Sequence, residues 1–195
     1  MDIPPPLPTS SPFSPQQMQE MLVARKSMKR IRRAISFAQS DGWTLAIFAV
    51  LTLICGLSSL TAILVGVGLG IIAYVELSSI TGLRQLDSKA AQTLGYNQLA
   101  LATILIVYAC WNLYSPSNLS QEIIDAAPEL KSAGLDVEGL QTQINHIIYY
   151  SLIGVAVFAQ GSLALFYFRR TTIIREYVAN TPPWIVEMQR AGFNP

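Results

Sequence analysis

The sequence predicts an all-α integral membrane protein: a four-helix transmembrane bundle with cytoplasmic amphipathic helices. Three observations lead there. Of 195 residues, 51% are hydrophobic and 13% charged, about half the ~25% charged content of soluble domains. Residues 42–75, 90–121 and 139–168 carry no Asp, Glu, Lys or Arg, and only His146 interrupts the last window. An even number of crossings gathers nearly all the Lys and Arg on one side, as the positive-inside rule requires. Two cysteines exclude a disulfide scaffold, and a net charge of +1 argues against a nucleic-acid module.

Residues 1–15 hold Pro4, Pro5, Pro6, Pro8, Pro12 and Pro15. Proline lacks a backbone donor, so a disordered or polyproline-II arm is expected. Residues 16–40 read as a basic amphipathic helix. Met21, Ala24, Met28, Ile31, Ile35 and Ala38 recur at three- and four-residue steps, while Arg25, Lys26, Lys29, Arg30, Arg32 and Arg33 fill the other faces. This pattern predicts a helix lying on an anionic inner leaflet, each cation contributing about 1 kcal/mol near the surface. The competing readings are that the cations only set topology and that the stripe pairs with a partner helix. Ser40-Asp41-Gly42 is expected to break the helix before Trp43. With no charged leader followed by a short apolar run, the first span is expected to act as an uncleaved anchor.

Residues 41–170 form the predicted four-span domain. A single helix over 43–78 would run roughly 54 Å at ~1.5 Å per residue, against ~30 Å of hydrocarbon. Folding at Cys55-Gly56-Leu57-Ser58-Ser59 divides it in two. Spans are therefore expected at about 43–58, 60–80, 97–114 and 147–168, with an outer loop over 115–146. One long bent helix, or a re-entrant pair, is the alternative for 43–80. Of the 13 basic residues, only Lys131 then lies on the outer side, which puts both termini in the cytoplasm. Trp43, Tyr74, Tyr96 and Tyr167 mark the inner boundary; Tyr108, Trp111, Tyr114, Tyr149 and Tyr150 mark the outer one.

In the outer loop, Pro128 to Gly134 is expected to form a helical turn, and Asp136 to cap the helix entering span four. Asn118-Leu119-Ser120 matches a glycosylation acceptor pattern but lies too close to span three to be used. The cytoplasmic tail, 171–195, continues the last helix to Pro182-Pro183. Trp184, Ile185, Met188 and Phe193 then predict a short interfacial segment.

Candidate sites are few. Glu76 is an acidic residue inside a span, expected to bond Ser79, Asn97 or Gln98, or to serve an ion-linked role. Gln160, near the middle of span four, is expected to bond across to Thr52 or Thr103. Ala62, Gly66 and Gly70 form a small-residue row for close helix packing, inside the chain or between copies. Cys55 and Cys110 read as small apolar side chains, and His146 as an outer-interface residue. No nucleophile–base pair, metal-ligand set or cofactor motif is present in the sequence. The expectation is a non-enzymatic protein that organises or regulates other membrane components, without a cofactor or nucleic acid. Its expected partners are the bilayer with its anionic inner leaflet and either further copies or another membrane protein. The rival is a subunit of an oligomeric channel or transporter using Glu76 and Gln160, and a third option is a membrane enzyme acting on lipids or on a soluble co-substrate at the inner interface. The expected location is a bacterial inner membrane.

Overall fold

The computed structural model describes residues 13–57, 60–114 and 137–193. Expectations for the proline arm through Pro12, for Asn118-Leu119-Ser120, and for Pro128, Gly134 and Asp136 lie outside them. Every regular element among the described residues is a helix, without a strand. Helix α1 is Pro15–Cys55, α2 Leu60–Arg84, α3 Ser88–Tyr114 and α4 Val137–Val155. A π-helical turn, Ala156–Gln160, joins α4 to α5, Gly161–Asn180, and α6 is Pro183–Arg190. Four helices are long and apolar enough to cross a membrane: α1, α2, α3, and the run from Gly139 to Asn180.

Helix α1 starts on a capping box, with Ser14 accepting from the Gln17 amide, the Gln17 side chain accepting from the Ser14 amide, and Pro15 in the first turn. It then runs unbroken for 41 residues, roughly 61 Å at ~1.5 Å per residue. The expected break at Ser40-Asp41-Gly42 is absent. One glycine costs a helix only about 1 kcal/mol, and here it has a packing use. A Cβ on Gly42 would lie 2.9 Å from Leu77 Cδ2 and 3.3 Å from Glu76 Cγ, so its absence lets α2 approach.

The chain does turn after Cys55. Gly56 closes the helix by donating to the Thr52 carbonyl, and a Cβ there would collide with Ala62. Helix α2 runs back along α1 and also packs on α3; α3 packs on α4, the π turn and α5, and α5 closes the ring against α1. Glycines set the approach on two faces of α2. Gly66 abuts Leu53 of α1, where a Cβ would stand 2.7 Å from Leu53 Cγ, and Gly68 faces Ile104 of α3.

The α2–α3 corner is tight. Asp87 N–H donates to the Gly82 carbonyl and Leu86 N–H to the Leu83 carbonyl, the paired bonds of a Schellman ending. Leu86 takes the left-handed position at φ 60° that glycine usually fills, while being only 3% exposed. Asp87 then caps α3, its Oδ1 accepting from the Lys89 amide.

Two apolar clusters are stacked along the bundle. One joins Ala24, Met28, Ile31 and Ala38 of α1 to Leu83 of α2, Leu94 of α3, Ile174 of α5 and Ile185 of α6, among others. The smaller one joins Ala49, Leu69, Ile72 and Leu101. Around and beyond the smaller cluster, large side chains such as Ile47, Ile54, Leu64, Ile71, Val107 and Phe158 are exposed.

The larger cluster revises two expectations. The α1 stripe meant for a lipid surface is buried in protein, Ile31 and Ala38 completely. The tail segment is likewise docked: Ile185 is fully buried, Trp184 stacks on Phe13, and Tyr177 and Gln189 exchange hydrogen bonds of 3.0 and 2.8 Å. Both segments find apolar partners in the ends of α2, α3 and α5, which satisfies in cis the burial that a lipid face would otherwise supply. The first and last described segments therefore lie at one end of the bundle.

Candidate functional site

Between the two clusters the helices bring polar groups together. Asp41 on α1 sits beyond the last large-cluster residue of that helix, Ala38, and before Ala49 of the small cluster. On α2, Glu76 falls between Ile72 and Ile80; on α3, Gln98 falls between Leu94 and Leu101. Tyr167 of α5 closes the fourth side. Each position is one or two turns from apolar neighbours on the same face, so the helices cannot pack without meeting here.

Gln98 Nε2 donates to Asp41 Oδ2 at 3.0 Å and to Glu76 Oε1 at 3.1 Å. Tyr167 reaches Glu76 Oε1 from the other side at 3.5 Å. Glu76, Gln98 and Tyr167 are completely buried, whereas Asp41 is half-buried. Two buried atoms of this cluster have no hydrogen-bond partner: Glu76 Oε2 and Gln98 Oε1. Asn97 spans from α3 to α2 beside the cluster, its Nδ2 donating to the Ile72 carbonyl at 3.0 Å.

Of the three partners expected for Glu76, Gln98 is the one engaged; Ser79 bonds the Val75 carbonyl of its own helix instead. Two members were missed in the sequence. The sequence places Asp41 in an expected helix break and Tyr167 among the expected interface aromatics. Tyr167 is fully buried, while Trp43, Tyr74 and Tyr96 are 58, 74 and 59% exposed. The available signal was spacing: Asp41 lies three residues past Ala38, on the face of the apolar stripe.

Gln160 is elsewhere. It ends the π turn, and its Oε1 is buried without a partner. It forms no bond to Thr52 or Thr103, and the Thr103 hydroxyl donates to the Leu99 carbonyl of its own helix. The row Ala62, Gly66 and Gly70 faces α1, meeting the Gly56 turn, Leu53 and Ala49. Cys55 and Cys110 are free thiols, and His146 stands beside the Tyr150 ring at 5.8 Å.

The six cations of α1 are all exposed. Lys29, Arg32, Arg33, Ser36, Phe37 and Ser40 line a shallow cleft. Arg170 of α5 feels Arg30 and Arg33 as like charges, and its guanidinium lies 4.4 Å over the Phe166 ring. Its Nε is buried with no hydrogen-bond partner.

Chemically, the buried cluster is a carboxyl pair hydrogen-bonded by an amide and a phenol, and among the described residues no group of three or more His, Cys, Asp or Glu is placed to hold a metal ion. Compared with protein-family models, curated proteins and solved structures, the chain matches none.

Proposed function

We propose that this chain is a multi-pass membrane protein with a non-enzymatic, organising or regulatory role, its four spans carrying a helical head on the cytoplasmic side. The observation that carries the reading is the division of the exposed surface along continuous helices. The outer faces of α1 from Trp43 to Ile54 and of α2 from Leu60 to Tyr74 expose large apolar side chains, whereas the start of α1 exposes six cations. Lipid suits the first surface and an anionic leaflet or acidic partner the second. The basic cleft, with Arg170 close to Arg30 and Arg33, supports the anionic partner because clustered like charges gain from an opposite one. Burial of the α1 stripe in the head means that these cations meet the membrane as the outer face of a docked helix.

Reporters fused to the two ends of the full chain test the reading. Both are expected in the cytoplasm, as in a bacterial inner membrane; opposite compartments, or recovery from the aqueous fraction, would overturn it. Replacing the six α1 cations with Gln is expected to weaken this orientation, because the inner-side charge bias would fall by half. A second reading, a subunit of an oligomeric channel or transporter using Glu76 and Gln160, is favoured by the burial of a carboxyl inside the bundle. Flux through reconstituted vesicles is expected to fall in Glu76→Gln if that reading holds and to stay unchanged if the carboxyl is structural.

A further inference from the structure

We propose that Asp41, Glu76, Gln98 and Tyr167 form a binding site for one small monovalent cation of the alkali class. The proposal is independent of either reading of function, because a bound ion stabilises the fold whether or not it crosses a membrane. Its basis is a mismatch between donors and acceptors. A glutamine amide nitrogen has two N–H groups, and Gln98 directs them at two carboxyl groups on different helices, at 3.0 and 3.1 Å. The Tyr167 hydroxyl is the other donor, also directed at Glu76 Oε1. Glu76 Oε2 and Gln98 Oε1 remain, both on completely buried side chains and both without a partner. The groups that act on Glu76 are Asp41, whose carboxyl is close enough to share a proton with it, Gln98 and Tyr167, none of them cationic. The cluster has more buried acceptors than donors, and no positive charge.

The chemistry of the donors selects the ligand. Carboxylate and amide oxygens suit a hard cation; without imidazole or thiolate, zinc and copper have no preferred ligand here, and manganese favours six oxygens in an octahedral shell. Calcium takes about six to eight oxygens, and magnesium keeps an octahedral shell; four side chains, one of whose amide nitrogens already serves both carboxyls, do not supply that. A proton shared by Asp41 and Glu76 would relieve the carboxyl pair yet leave Gln98 Oε1 unpartnered. An alkali ion takes a carboxylate oxygen and an amide oxygen together. Access is through Asp41, the one half-buried member, near the level of the exposed Trp43 and Tyr74.

The test uses the full chain in lipid nanodiscs, with sodium chloride compared with choline chloride at constant ionic strength. Sodium is expected to raise Tm in a saturable way, and equilibrium dialysis with radioactive sodium is expected to find about one ion per chain. Both effects are expected to vanish in Glu76→Gln and to persist in Glu187→Gln, which alters an exposed carboxylate far from the cluster. Should Glu76→Gln fail to fold, Asp41→Asn, altering the half-buried member, carries the same expectation. Equal responses to sodium and choline, sodium binding retained in the cluster variants, or a Tm that follows pH without sodium competition would each overturn the site; the last would assign it to a proton alone.

Discussion

Gly42 of α1 stands so close to Leu77 of α2 that a Cβ on it would lie 2.9 Å from the Leu77 Cδ2. This approach brings Asp41 and Glu76, the neighbours of these two residues, within reach of one amide. A larger side chain at 42 would force the helices apart where the polar cluster sits. Gly42→Leu is expected to lower stability by about 1–3 kcal/mol through overpacking, read as a lower Tm in detergent or nanodiscs.

Gly95 and Gly161 make a matched pair. A Cβ on Gly95 would stand 2.6 Å from the Phe168 ring, whereas nothing lies within 4 Å of one on Gly161. A ring cannot bend aside as an aliphatic tip can. Gly95→Ala is expected to cost about 1–3 kcal/mol, and Gly161→Ala to be neutral or to gain up to about 1 kcal/mol of helix propensity. Equal thermal shifts in the two variants would contradict the α3–α5 packing.

Leu86 combines a left-handed backbone with a buried side chain. Its backbone strain is about 1–2 kcal/mol, less than or similar to the roughly 1.5–3 kcal/mol from burying a leucine. Leu86→Ala keeps the strain and loses the burial, whereas Leu86→Gly loses both. Alanine is therefore expected to be the more damaging substitution, and chemical or thermal unfolding of the two variants checks the order.

Removing the Gln98 amide leaves Asp41 and Glu76 facing each other without their shared donor. Gln98→Leu is expected to cost about 1–3 kcal/mol. Adding Glu76→Leu removes an acceptor that would otherwise be stranded, so the double variant is expected to fall short of the summed single losses by about 0.5–3 kcal/mol. Strict additivity in unfolding measurements would show that the two side chains do not act as a pair.

Ile185 discriminates a docked tail from one resting on lipid. It is fully buried against the head core. Ile185→Ala is expected to cost about 2–5 kcal/mol and to expose α6 to protease and to amide exchange. If the tail only touched a membrane surface, the variant would leave the Tm of the detergent-solubilised protein unchanged.

Sequence alone carried the helical class and the four long apolar segments, because both are local quantities. Charge-free windows and 3.6-residue periodicity need no knowledge of neighbours. The row Ala62, Gly66 and Gly70 stands out by spacing because small side chains permit close approach wherever they occur, but that it meets α1 is a property of the packing. What covers an amphipathic face is not local. The stripe of Met28, Ile31 and Ala38 fits a lipid surface, a partner or its own protein equally well, and only the tertiary arrangement decided for the last. Glycine at 42 has the same ambiguity, since a missing Cβ weakens an isolated helix yet permits two helices to touch. The meeting of Asp41, Glu76, Gln98 and Tyr167 was hidden most deeply. Its members lie on four helices, and although each falls on the apolar face of its own helix, which faces meet and at what level is set by packing between helices.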